Sequence, residues 1–247
     1  MSKVGFIGVG TMGFPMATNI LSKGNDLSFY DPYVQDQNKS KLESLGGKYR
    51  TSIKNLLEDR DFIISMLPNS KNVKDVCLDN DGLLNQNYKN YIYIDMSTIL
   101  PADSIFINDA FKAHNIIMYD APVARLVNNA IDGTLLILVG GDKDKFELIK
   151  PLLKTMGSDV VYCGTNGSGS KMKIINNYMS IVSNIVTAET LSLVEKSGID
   201  LDLAIQLLTT TAAGKGHLNV SYPMKVLKKD LSPGFKNTLA LKDLRLA

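Results

Sequence analysis

KVGFIGVGTMGFPMATNILSKG, residues 3 to 24, starts as a short apolar run, passes glycines at positions 8, 10 and 13, and continues with apolar residues at helical spacing up to Gly24. It reads as strand, glycine turn, helix. In a turn of this spacing Gly8 makes the tight bend, Gly10 lets backbone approach a pyrophosphate, and Gly13 lets helix and strand pack closely, with the phosphates at the helix N-terminus. A second apolar strand, LSFYD, follows and ends at Asp31. That is about 20 residues on, where a carboxylate accepts hydrogen bonds from a ribose diol. The next residues, PYVQDQ, include no basic side chain to receive a 2′-phosphate, so NAD is expected over NADP.

The pattern repeats beyond this unit. Apolar strand candidates stand at Phe62 to Leu67, Tyr91 to Asp95, Ile116 to Tyr119, Leu135 to Val139 and Val160 to Tyr162, most of them separated by polar helical segments. A doubly wound, mostly parallel α/β sheet of the Rossmann type is the economical fold. Ligands of such sheets lie beyond the carboxyl ends of the strands, so the residues just after each strand are candidates. Leu67 and Pro68 close one strand and suit either a flat ring or simple termination. Ser97 and Thr98 follow the next, and suit either a ligand contact or the N-cap of a helix beginning near Pro101. Arg125 stands after a further strand, in DAPVARLVNNAIDGTL, among apolar and amide residues with no acidic partner close by in sequence. A guanidinium there is either an ordinary surface group or a clamp for a carboxylate, sulfonate or phosphate.

The alternation ends near Gly164. Gly164 to Gly169 is too glycine-rich for helix or strand and reads as a breaker loop. A long helix follows, in which Lys173, Asn176, Asn177, Ser180, Ser183, Asn184 and Thr187 form one polar stripe on a 3.6-residue period among Met, Ile and Val. Exposed helix faces are normally filled with stronger helix formers than Asn, Ser and Thr, so the stripe predicts a helix buried on most sides that presents hydrogen-bonding groups into a cleft. The remaining sequence has only helical patterns, broken near Gly198, Gly214 to His217 and Pro233 to Gly234. Two domains are expected, 1–164 carrying the dinucleotide and 165–247 all helical, joined by the long helix.

Composition narrows the function classes. The 247 residues are 45% hydrophobic and 21% charged with a net charge of +2, which suits a globular chain and provides no basic patch for nucleic acid. No apolar run is long enough for a membrane span, and the N-terminus enters a strand with no signal segment, so a cytoplasmic protein is expected. Cys77, Cys163, His114 and His217 lack metal-ligand spacing, and no metal is expected.

GVGTMGFPMA, DMSTILP, DAPV with the later DGTL, and GSGSKMKIINN together make the whole chain resemble the β-hydroxyacid dehydrogenases, the family of 3-hydroxyisobutyrate dehydrogenase and tartronate semialdehyde reductase. The resemblance implies Lys173 as general acid/base, Asn177 as a substrate ligand, and Thr11, Met12, Asp31, Leu67, Thr98 and Lys242 as NAD(H) contacts. Most members read Ser-Gly-Gly after DAPV, where this chain has Ala124, Arg125 and Leu126. With INNYMSI, TAAGKGH and DLSP, Arg125 makes the chain look like the branch that reduces 3-sulfolactaldehyde to 2,3-dihydroxypropane-1-sulfonate, with the guanidinium on the sulfonate and Asn176, Asn177, Tyr178, Met179 and Ser180 facing the substrate. Carboxylate semialdehydes remain open as substrates, and so, more remotely, does a non-catalytic cofactor-binding module. Family members continue past the motif around Lys242, so a longer helical domain and a homodimer or homotetramer are implied.

Overall fold

The computed structural model describes residues 1–88 and 90–247. Helices and strands alternate from the start: β1 (Lys3–Ile7), α1 (Gly13–Ser22), β2 (Asp26–Tyr30), α2 (Asp36–Ser44), β3 (Lys48–Tyr49), α3 (Ile53–Leu57), β4 (Phe62–Ser65), α4 (Ser70–Leu78), β5 (Ile92–Asp95), α5 (Pro101–Ala113) and β6 (Ile117–Asp120). Then come β7 (Val123–Ala124), α6 (Val127–Ile131), β8 (Leu135–Gly140), α7 (Phe146–Leu153) and β9 (Gly157–Gly164). The strands form one sheet in which β3, β2, β1, β4, β5 and β6 run parallel in that order. β1 lies between β2 and β4, so the strand order reverses beside it, which is the doubly wound arrangement with its crevice at that switch point. β8 pairs antiparallel with both β6 and β7, and β9 parallel with β8.

Both faces of the sheet are covered, as a parallel sheet requires. Phe6, Phe29, Ile64 and Ile94 pack into one cluster with Met16, Ala17 and Ile20 of α1. Ile7, Ile63 and Tyr93 alternate to the other face and pack with Val73, Cys77, Ile107 and Phe111 of α4 and α5. The two-residue strands β3 and β7 are too short to carry a period, and neither was expected from the sequence.

The long helix α8 spans Ser168–Lys196 and is followed by α9 (Leu201–Thr210), α10 (Ala212–Lys215), α11 (Ser221–Met224) and α12 (Asn237–Leu246). Two compact units result, Met1–Asn177 and Tyr178–Ala247. In the second, Asp200 caps α9 by accepting the Leu203 N–H at 2.8 Å, and positive φ angles at Gly198 and Gly216 allow the chain to turn after α8 and α10. Among the described residues, no helix is long and apolar enough to cross a membrane.

Candidate active site

The glycine turn after β1 divides three tasks among three residues. Gly8 has φ +88°, and a Cβ there would lie 2.4 Å from the Met66 carbonyl. A Cβ on Gly13 would lie 1.9 Å from the Gly8 carbonyl, so α1 and β1 approach as closely as backbone permits. Gly10 has nothing within 4 Å of an added Cβ, which leaves its flank open. Thr11 is exposed, and Met12 is the N-cap of α1 without any side-chain cap hydrogen bond. First-turn N–H groups without a side-chain partner beside an open glycine are what a pyrophosphate needs. Asp31 braces this turn, because its Oδ2 accepts the Val9 N–H at 2.9 Å and its Oδ1 the Tyr33 N–H at 2.8 Å. A cavity of about 480 Å³ lies alongside, lined by Gly8, Gly10, Asp31, Leu67, Pro68 and Val76 among others. The lining suits the adenosine half of a dinucleotide.

The strand ends form a row across the sheet, Ile7 opposite Ser65, Ser65 opposite Asp95, Asp95 opposite Asp120, and Asp120 opposite Gly140. Three strand spacings, about 14 Å, therefore separate the glycine turn from the end of β6. Between them lies a buried polar network that the sequence did not reveal. Ser65 Oγ donates to Asp95 Oδ1 at 2.8 Å and lies 2.7 Å from the Tyr93 hydroxyl. Asp95 Oδ1 also accepts the Ser97 N–H at 3.1 Å, and Ser97 Oγ accepts the Leu67 N–H at 2.9 Å. Burial holds the Asp95 carboxyl above its ordinary range despite these bonds. The chain of contacts fixes the loops that carry Leu67 and Thr98. Thr98 is exposed, and α5 takes Leu100 as its N-cap with no side-chain bond, so Ser97 serves the Leu67 loop rather than the helix.

Asp120 ends β6 fully buried and holds the start of α8. Its Oδ1 accepts the Gly167 N–H and its Oδ2 the Ser170 N–H, each at 2.7 Å. Burial pushes this carboxyl up and the two backbone donors pull it down, leaving it raised to about 6. With that anchor the helix begins at Ser168, so Ser168 and Gly169 belong to it and the breaker loop is shorter than expected. Lys173 follows one turn later and is half-buried, and burial lowers the pKa of its ammonium. Asn177, one further turn along, is half-buried too, whereas Asn176 and Ser180 are exposed. The expectation of a helix buried on most sides does not hold for this chain. Ile175 is 61% exposed, Tyr178 71% and Met179 48%. Lys242 lies on α12 in the second unit, where its ammonium pairs with Asp243.

Arg125 follows β7 with φ +80°, in the left-handed region. Its acidic partner is distant in sequence but close in space: Nη2 donates to Asp159 Oδ2 at 2.6 Å, and Nη1 to Ser158 Oγ at 2.8 Å and the Thr134 carbonyl at 2.5 Å. The guanidinium is thus held across the starts of β8 and β9. Because β7 and β8 are antiparallel, those starts lie toward the carboxyl ends of the parallel strands. Among the described residues no group of three or more His, Cys, Asp or Glu side chains is placed to hold a metal ion.

Comparison with known proteins agrees with this geometry. Residues 3–164 match the family model of the NAD-binding domain of 6-phosphogluconate dehydrogenase, and residues 167–247 that of the NAD-binding domain of NADP-dependent 3-hydroxyisobutyrate dehydrogenase. The chain is 40% identical over 247 residues to 3-sulfolactaldehyde reductase of Escherichia coli, covering 100% of this chain and 82% of the relative. It is 36% identical over 250 residues to mitochondrial 3-hydroxyisobutyrate dehydrogenase of Mus musculus, covering 99% and 74%. The structure of Mycobacterium tuberculosis 3-hydroxyisobutyrate dehydrogenase with L-serine superposes with a TM-score of 0.78 at 28% identity, covering 100% and 85%. These matches, which together run from residue 3 to the end of the chain, make it an NAD-dependent oxidoreductase, and the chain belongs to the 3-hydroxyisobutyrate dehydrogenase family.

Proposed function

We propose that the protein reduces a small anionic aldehyde with NADH, and that the aldehyde is 3-sulfolactaldehyde, giving 2,3-dihydroxypropane-1-sulfonate. The observation that carries the reaction is Lys173, a half-buried ammonium made more acidic by burial, one turn beyond a helix start anchored at the strand ends. Gly10, the first turn of α1, Asp31, Leu67 and Thr98 would hold the cofactor. Bound there, NADH supplies a hydride to the aldehyde carbon. Lys173 delivers a proton to the aldehyde oxygen as negative charge develops on it, and stabilises that charge before the transfer. A lowered lysine pKa brings the donor nearer the operating pH. Asn177, on the same helix face, orients the substrate's polar groups, with Asn176, Tyr178, Met179 and Ser180 completing the run.

Arg125 is the reader of the anionic tail in this proposal. The relative that is 40% identical is a 3-sulfolactaldehyde reductase, and a guanidinium fork suits a sulfonate. The Asp159 pairing reduces the guanidinium's pull on any anionic tail, so Arg125 does not separate sulfonate from carboxylate, and the second reading is the same reaction on a carboxylate semialdehyde. The test is NADH oxidation with 3-sulfolactaldehyde beside succinic semialdehyde and tartronate semialdehyde. Preference for the sulfonate supports the first reading, and preference for either carboxylate replaces it with the second. Lys173→Ala is expected to lose at least 100-fold in kcat, within the usual range for a general acid, while binding NADH normally; wild-type turnover would remove the mechanism. Arg125→Ala is expected to raise KM for the preferred substrate much more than it lowers kcat, since the tail is held alike in ground and transition states.

A further inference from the structure

We propose that Asp120 is a positioning residue for Lys173: by accepting the Gly167 and Ser170 N–H groups, its carboxylate fixes the rotation and depth of the first turn of α8 and so sets where the lysine ammonium emerges. The inference rests on Lys173 being the proton donor. The two hydrogen bonds, each 2.7 Å, span 47 and 50 residues of sequence and join the end of a central strand to the helix start. A carboxylate at this end of a helix also complements the partial positive charge of its unpaired N–H groups.

Close packing leaves the carboxylate little freedom. A Cβ on Gly140 would lie 2.5 Å from Asp120 Oδ1, and a Cβ on Gly169 would lie 2.3 Å from the Leu138 carbonyl and 2.7 Å from that of Asp120. Glycine at both positions lets the helix start abut the sheet directly. Asn166 adds a second tie, its Nδ2 donating to the Met118 carbonyl at 2.8 Å. Lys173 stands three residues beyond Ser170, on the same helix face and about 4.5 Å further along the axis. A rotation or lift of the first turn therefore carries the ammonium with it. Burial is what lowers the lysine's pKa, so its titration reports how deeply the ammonium sits.

Asp120→Asn tests this. The amide retains one acceptor but turns an NH2 group toward the second backbone N–H, donor against donor. The cofactor turn lies three strands away, so NADH affinity is expected to stay within twofold while kcat falls at least 10-fold. The alkaline limb of the kcat–pH profile is expected to move upward, as the ammonium becomes better hydrated. Cys163, which also titrates at alkaline pH and feels the Asp120 charge, is replaced by Ala in every protein compared, so that the limb stays assigned to Lys173. Asn166→Ala loosens the same loop and leaves the carboxylate in place. It is expected to change kcat and the limb in the same direction by less, and it decides the matter where Asp120→Asn does not fold. Unchanged kcat, or a fall in kcat with the alkaline limb unmoved, overturns the positioning role. Lys173→Ala separates the two levels, because an active Lys173→Ala removes the proton donor itself, whereas an inactive one beside wild-type-like Asp120→Asn and Asn166→Ala removes the positioning role alone.

Discussion

Gly10→Ala separates cofactor binding from folding. An added Cβ at Gly10 meets nothing within 4 Å, and the residue is not among those with positive φ, so alanine fits the folded backbone without strain. Its effect on stability is expected to lie within about 0.5 kcal/mol, or to be a gain of up to about 1 kcal/mol through the less flexible unfolded chain. The methyl group, however, stands on the flank that a pyrophosphate must approach to reach the turn's N–H groups. Loss of one such charge-assisted hydrogen bond costs about 1.5–3 kcal/mol, which raises the NADH dissociation constant on the order of 10- to 100-fold. Fluorescence titration of NADH and thermal unfolding, run on the same preparations, read the two effects. Gly13→Ala is the contrast, because its Cβ would fall 1.9 Å from the Gly8 carbonyl and the fold itself must yield. Wild-type NADH affinity in a folded Gly10→Ala would refute the placement of the phosphates, and so would a melting temperature lowered as far as that of Gly13→Ala.

Two further outcomes follow from buried groups. Asp120 titrates at about 6 in the folded chain against 3.8 ordinarily, so between those values the folded state holds a proton that the unfolded state has released. Its contribution therefore falls as pH rises through this window, by roughly 3 kcal/mol, and that loss should be missing from urea unfolding of Asp120→Asn; parallel stability–pH curves for the two proteins would contradict it. Phe111 is fully buried with its ring stacked 4.7 Å from Tyr93, so Phe111→Ala should cost about 3–5 kcal/mol in denaturant unfolding, and a loss below about 1 kcal/mol would mean that the helix layer over β5 is not packed as described.

The fold was legible in the sequence because its signals are local. Glycines at 8, 10 and 13 between an apolar run and a helical one specify strand, turn and helix together, and the later apolar runs repeat the unit. The polar stripe from Lys173 likewise needed only a helical period. Asp120 was not legible as an anchor, since a lone aspartate after a strand has no periodicity and its partners lie 47 and 50 residues away. Arg125 looked unpaired for the same reason, with Asp159 at a separation of 34. The exposure of α8 was not legible, because composition shows what a helix face could bury against and not which segments lie over it. Ser97 had two sensible roles in sequence, ligand contact or N-cap, and its bond to the Leu67 N–H is a third that only the position of that loop reveals.

The left-handed backbone at Arg125 bears on what a substitution there would do. A side chain other than glycine in that region costs about 1–2 kcal/mol, and here three hydrogen bonds from the guanidinium hold the residue in place. Glycine would occupy this φ without strain. The corner after β7 therefore combines a backbone conformation suited to glycine with a guanidinium tied to the starts of β8 and β9. The two properties are coupled: replacing this arginine with glycine would relax the backbone and remove the guanidinium and its three bonds in one step.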